Sequence, residues 1–256
     1  MFLATQSAYA ADALSQIQNS PGFATGFRLT AVELARIREI ITARWLNRIR
    51  AIASPELAQQ FAAAGIERYH ELSDQLDHAS LWNKDARLFS AVEVAEIQSM
   101  SLFKALAKAF GPVEVADIEG LGYPEIYWRL VRPGKTGDVA GVHADSWFYT
   151  YTNDLPPEKQ AKLLKVWAAI FVEPAVSGLM VVPDSHKQDW PHHSEIRHGR
   201  AKPKLDVDES ELDLQVVRTQ PGESIAFNIG LLHGGISHKC DQSRVSIEFS
   251  VRISGN

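Results

Sequence analysis

The sequence predicts an α+β protein: a double-stranded β-helix, or jelly roll, with a helical N-terminal half packed on it. Up to residue 111, apolar residues recur at helical spacing behind N-capping signals. From residue 112 the chain breaks into short runs rich in Val, Ile and aromatics, most of them bounded by Gly or Pro. Size agrees, since 256 residues with 45% hydrophobic and 22% charged side chains can bury the core of one domain. The expected organisation is a single domain over 1–256, with 1–111 as helical support and 112–256 as the jelly-roll core.

The first helix is marked by Thr30 and Glu33, a capping box in which each side chain bonds the other residue's backbone N–H. Leu34, Ile37, Ile41, Leu46 and Ile49 then recur along one side. Ser54-Pro55 restarts a helix, with Ser54 as N-cap and Pro55 in the first turn. Ser90 and Glu93 form another capping box, and Gly111-Pro112 is expected to end that helix. Strands are expected in "EIYWRLVRP", "KVWAAIFVEP", "GLMVVP", "LQVVRTQPGESIAFNI" and "RVSIEFSVRI". Between them, residues 187–213 are long and polar, and are expected to form a loop or lid that Arg197, Arg200, Lys202 and Lys204 make locally basic.

The net charge of −5, with both signs interspersed, lacks the basic footprint that nucleic-acid binding requires. A single cysteine, Cys240, cannot form an internal disulfide and favours a reducing compartment. The Ala-Tyr-Ala near the N-terminus follows no basic residue and only a three-residue apolar run, Met1 to Leu3, so no signal peptide is expected. No run approaches the length of a membrane span. The expected location is cytoplasmic.

The chemistry concentrates in three places. "GVHADSWFYT" sets His143 and Asp145 two residues apart, so on a strand the imidazole and the carboxylate share a face. His233 ends another strand-like run, with Gly234-Gly235 directly after it. Two histidines and one carboxylate on one face of an octahedron leave positions open, which is the donor set of non-haem iron oxygenases. Arg244 follows His233, and Ser246 shares its strand face; a guanidinium fork matches the carboxylate of a dicarboxylate. His193 and Glu195 repeat the His-x-carboxylate spacing inside 187–213, without a strand to hold them. His192, His198 and His238 read as solvated or loop-stabilising, and His186 as shaping the pocket. Trp147 and Tyr149 would share the ligand face if the strand continues, and are candidate substrate-lining residues; Arg129 could meet an anionic group.

From Glu125 to Ile253 the sequence resembles the phytanoyl-CoA dioxygenase-like branch of the Fe(II)/2-oxoglutarate oxygenases. The features that carry this are Pro133-Gly134, His143-Ala144-Asp145, Trp167, "VVPDSHK", His233 and Arg244. Two positions depart from that pattern: Asp184 stands where a Gly is usual, and Ile236-Ser237-His238 where an Asn is frequent. The resemblance implies Fe(II) on His143, Asp145 and His233, and 2-oxoglutarate held by Arg244 and Ser246. It also implies oxidation of a C–H bond of a small molecule by O2, releasing succinate and CO2. In that superfamily a carboxylate at Asp145 implies hydroxylase-type chemistry over halogenation. The sequence leaves two alternatives standing. One is a cupin-like metal-binding or sensory protein without turnover, the other a dioxygenase independent of 2-oxoglutarate. Neither needs a dicarboxylate clamp at Arg244.

Overall fold

The computed structural model describes residues 12–174, 176, 178–197, 200–236 and 240–254. The N-terminal Ala-Tyr-Ala, His198 and His238 lie outside them, as do the side chains of Arg197 and Arg200.

Three helices begin where the capping chemistry places them, and the single helix expected from Ser90 to Gly111 is split in two, the second part starting without a side-chain cap. Helix α1 (Ala31–Arg50) has both halves of the Thr30–Glu33 capping box, and α2 (Pro55–Ala64) is capped by Ser54. Helix α3 (Ala91–Gln98) has the Ser90–Glu93 box, and α4 (Ser101–Phe110) follows after a break at Ser99-Met100 and ends at Gly111. Their buried faces present Ile37, Ile41, Trp45, Phe61, Ile97 and Leu106 to one continuous core.

The strands form two antiparallel sheets. With β1 (Phe23–Arg28), β2 (Val113–Val115), β3 (Ile126–Val131), β4 (Leu163–Phe171), β9 (Glu223–Asn228) and β11 (Arg244–Ile253), the larger runs β1-β9-β4-β11-β2, and β3 pairs with β11 beside β2. The smaller runs β10-β5-β8, with β5 (Leu179–Val181), β8 (Gln215–Val217) and β10 (His233–Gly235). Because side chains alternate along a strand, each strand of the large sheet serves two environments. Val166, Ala168, Ile247 and Phe249 join the helical core, while Trp167, Ala169, Ile225 and Phe227 meet Leu179, Val181 and Val217 of the small sheet.

Three features differ from the sequence reading. The mainly helical N-terminal half also holds a strand the sequence reading did not place, Phe23–Arg28, which pairs with β9 at the edge of the large sheet. The run expected to reach His233 as one strand instead ends at Asn228, and His233 starts β10 in the other sheet. Residues 187–213 hold a two-stranded hairpin, β6 (His192–Arg197) with β7 (Arg200–Leu205). No helix among the described residues is long and apolar enough to cross a membrane.

Candidate metal centre

His143 and His233 face each other across a two-way backbone bridge: His143 N–H donates to the His233 carbonyl at 3.0 Å, and His233 N–H to the His143 carbonyl at 2.9 Å. Opposed residues of an antiparallel pair carry their side chains to the same side, and the two rings lie 4.4 Å apart, centroid to centroid. Asp145 joins them by a different route from the expected strand. The chain turns after Ala144, and Asp145 opens helix α5 (Asp145–Tyr151). A carboxylate is favoured in a helix's first turn, and the aromatic run after it folds as helix in spite of its β propensity. Ligand atoms of His143, Asp145 and His233 all lie within 4.8 Å of one another.

The tautomers follow from the acceptors. His143 Nδ1 sits 2.7 Å from the Gly141 carbonyl and His233 Nδ1 2.9 Å from the Leu231 carbonyl. A carbonyl can only accept, so each Nδ1 carries the proton and each Nε2 keeps a free lone pair. Burial, reinforced by His233, pushes His143 down to about 3, so it stays neutral. Burial alone would raise Asp145, but Lys165, with Nζ 3.7 Å from Oδ1, outweighs it and keeps the carboxyl ionised. Asp145 Oδ2 is buried without a hydrogen-bond partner and lies 3.6 Å from His233 Nε2. Two aimed nitrogens and an orphaned carboxylate oxygen are a donor set that fits a divalent cation.

The site opens on a cavity of about 1120 Å³ inside the jelly roll. Its wall is polar where β3, β4 and β11 turn alternate residues inward. Tyr127 donates to Glu248 Oε2 at 2.9 Å, Arg129 Nε donates to Glu248 Oε1 at 3.0 Å, and Lys165 Nζ donates to Tyr127 Oη at 3.2 Å. Burial would raise Glu248, yet Arg129 and Lys165 hold it well below the carboxylate range. Arg129 is therefore neutralised within the protein. Arg244 is not. It is buried, one end of its fork donates to the Gly178 carbonyl, and its Nε has no partner. Its guanidinium carbon stands 5.8 Å from the Trp167 ring centroid. Burial, opposed by Glu248 and helped by the like charge of Arg129, pushes it down to about 10.

The remaining expected residues part company. Ser246 is buried on the same face as Arg244, but its hydroxyl is directed to Glu248 Oε1 at 3.4 Å. Trp147 and Tyr149 do not share a face, because α5 is helical. Tyr149 lines the cavity and bonds Ser250, whereas Trp147 stacks on His192 at 4.1 Å and is not part of the cavity wall. His193 pairs with Asp206 at 2.6 Å, away from the centre, and His186 packs against Gly22. Phe148, edge-on to His143 at 4.9 Å, and the pair Lys165 and Glu248 lie outside the sequence reading. An isolated charge inside an otherwise apolar or hydroxyl-bearing run, Lys165 in "LLKVWAAIF" and Glu248 in "VSIEFSV", was the available signal. Asp184 takes a left-handed φ of 63°. That conformation favours Gly and tolerates Asp, so the turn keeps its shape despite the substitution.

Comparison with curated proteins finds no match. Among solved structures, the fold is similar to EctD from S. alaskensis in its apoform (14% identity, TM-score 0.57, covering 95% of this chain and 76% of that one). It is also similar to the epimerase SnoN in complex with Fe3+, α-ketoglutarate and nogalamycin RO (14%, 0.55, 98% and 84%). A third likeness is to the non-heme monooxygenase ThoJ in its apo form (16%, 0.54, 95% and 77%). At such identities these likenesses establish the fold. The sequence profile of the family described as phytanoyl-CoA dioxygenase (PhyH) matches residues 34–246, most of the chain. The chain belongs to the phytanoyl-CoA dioxygenase (PhyH) family, whose members are non-haem enzymes that use Fe(II) and 2-oxoglutarate.

Proposed function

We propose that this protein is an Fe(II)/2-oxoglutarate-dependent dioxygenase that hydroxylates, or otherwise oxidises, a C–H bond of a small-molecule metabolite. His143, Asp145 and His233 hold the metal, and Arg244 anchors the distal carboxylate of the cosubstrate. The observation that carries this reading is Arg244: a buried guanidinium with no carboxylate partner among the described residues, on the wall of the cavity that holds the three ligands. Leaving such a charge unanswered is costly, and a dicarboxylate answers it with a bidentate pair. A cupin-like sensor without turnover, or an oxygenase independent of 2-oxoglutarate, has no use for it.

Iron bound at the triad, with 2-oxoglutarate and O2, supplies the oxidising power for attack on an unreactive C–H bond, with succinate and CO2 released. The chain positions and shields. The Gly141 and Leu231 carbonyls fix the two imidazoles in their metal-binding tautomer. Lys165 holds Asp145 ionised and engages Oδ1, leaving Oδ2 for the metal. Trp167 stacks beneath Arg244, and Phe148 packs against His143, so both flanks of the site are apolar. Ser246, turned to Glu248, adds a smaller share to cosubstrate binding.

The test is an anaerobic titration of iron(II) and then 2-oxoglutarate, followed through the metal-to-ligand charge-transfer band. In Arg244→Ala, loss of the fork is expected to weaken 2-oxoglutarate binding by about 2–4 kcal/mol, roughly 30- to 800-fold. Iron affinity measured alone should stay as in wild type. Lysine should restore only part, because a point charge lacks the fork. Wild-type 2-oxoglutarate affinity in Arg244→Ala would remove the basis of the assignment.

A further inference from the structure

The cavity is roomier than the cosubstrate requires. Its volume of about 1120 Å³ exceeds the ~300–1,000 Å³ that usually encloses a whole drug-sized ligand, so space beside a five-carbon diacid remains for a second molecule. The cations on its wall are in unequal states. Arg129 faces Glu248 at 3.0 Å, Arg132 faces Asp138 at 2.8 Å, and Lys84 has Glu119 at 2.6 Å and Glu125 at 2.9 Å. Two guanidiniums on that wall have no carboxylate partner among the described residues. One is Arg244, given above to the cosubstrate. The other is Arg87, to which the proposed reaction gives no part.

Arg87 lies at the end of a one-turn helix, Lys84–Arg87, that packs on β3. Its Nε donates to the carbonyls of Trp82 at 2.9 Å and Asn83 at 3.3 Å, and Nη1 donates to the Trp128 carbonyl at 3.1 Å. These bonds engage the Nε N–H and one N–H of Nη1 on two backbone segments, and Nη2 is left without a bond among the described residues. Its guanidinium carbon stands 5.8 Å from the Tyr127 ring centroid, on the cavity wall. Carbonyl dipoles orient a guanidinium but do not cancel its charge. Burial and the like charge of Arg129, opposed by Tyr127 and Glu248, push Arg87 down to about 10.

We propose that Arg87 is the docking point for a carboxylate on the substrate, which makes the substrate class a small organic acid. With the guanidinium fixed by three backbone carbonyls, Nη2 and the second N–H of Nη1 are the donors left to meet a carboxylate. The identification of the bound acid as substrate rests on the oxygenase reading; the anion site does not.

The probes are two acids and their uncharged isosteres: benzoate against benzamide, and hexanoate against hexanamide. Each is titrated anaerobically into the full chain loaded with iron(II) and saturating 2-oxoglutarate, with tryptophan fluorescence as readout, since Trp82 and Trp128 supply the carbonyls that hold Arg87. Wild type is expected to bind each acid about tenfold or more tighter than its amide. Arg87→Gln should bring that ratio to within about twofold of unity, with 2-oxoglutarate affinity unchanged. Arg87→Lys, which keeps the charge and loses the fork, should reduce the ratio several-fold, and it decides the matter if the glutamine variant fails to fold. Equal binding of acid and amide by wild type overturns the proposal. So does a wild-type ratio in either variant, or a ratio erased by Arg244→Ala and untouched by Arg87→Gln. Acid binding that depends on Arg87 in a protein that fails to bind 2-oxoglutarate would leave the anion site standing and the oxygenase reading refuted.

Discussion

Strand β11 has two faces that are equally buried and chemically opposite. Val245, Ile247, Phe249 and Val251 pack into the core shared with the helices, whereas Arg244, Ser246, Glu248 and Ser250 face the interior of the jelly roll. β3 repeats the division, with Ile126, Trp128 and Leu130 on one side and Tyr127 and Arg129 on the other. The difference shows what the helical layer is for. Apolar burial of roughly 25 cal/mol per Å² accrues on the helix side. Charged groups that gain little from folding are thereby held in fixed geometry on the cavity side. One side stabilises, the other is prearranged.

The contrast breaks most visibly at the ligands. His143→Ala or His233→Ala removes a donor from the centre and nothing from the helical core. Turnover is expected to fall by roughly 10³-fold or more, equivalent to about 4 kcal/mol, with the thermal midpoint of the metal-free protein near wild type. Iron(II) binding and turnover at wild-type levels in either variant would refute the centre. Ile247→Ala is the converse. Ile247 is fully buried on the helix side, between two inward-facing residues. Denaturant unfolding should show a loss of about 2–5 kcal/mol, with 2-oxoglutarate affinity in the folded protein unchanged.

A third measurement probes where the layers meet. His78, from the helical half, sits between Tyr69 Oη at 3.1 Å and Asp138 Oδ1 at 3.5 Å. Burial pushes it down to about 4, against the opposing pull of Asp138. Its folded pKa lies below its unfolded one, so the unfolded chain takes up the proton first. The stability that neutral His78 supports is complete above about pH 6.5 and is lost as pH falls towards about 4, on the order of 3 kcal/mol. His78→Asn should remove that part of the slope between pH 7 and 4.5; identical slopes would place the titration elsewhere. The smallest effect belongs to Ser246→Ala. With one neutral donor removed, 2-oxoglutarate binding should weaken by about 1 kcal/mol. A loss as large as that of Arg244→Ala would mean that Ser246 turns from Glu248 to the cosubstrate.

Much of this arrangement was legible in the sequence, and the exceptions share a cause. Capping boxes are local, so Thr30–Glu33 and Ser90–Glu93 gave the helix starts. The clustering of His143, Asp145 and His233 was legible because His143 and Asp145 are near in sequence and His233 precedes a pair of glycines. What long-range packing decides was not. The aromatic run after Asp145 has strand-like composition and folds as helix, which moved Trp147 from the cavity to the face of His192. The pairing of Phe23–Arg28 with β9 spans most of the chain, and no local signal marks it. Arg87 sits in an ordinary polar stretch. Its significance lies in the carboxylate it lacks, which only the folded arrangement reveals.

The hairpin β6–β7 has a consequence of another kind. Its strands pair only with each other, yet Lys202, Pro203, Lys204 and Leu205 form part of the cavity wall. It is joined to the site by the Thr152 hydroxyl donating to the Ala201 carbonyl at 2.9 Å and by the ring stack of Trp147 on His192. None of the three candidate ligands or Arg244 belongs to it. The protein is modular at this point: a hairpin of different length or composition could be exchanged there, altering which molecules are admitted while the oxidising machinery is inherited whole.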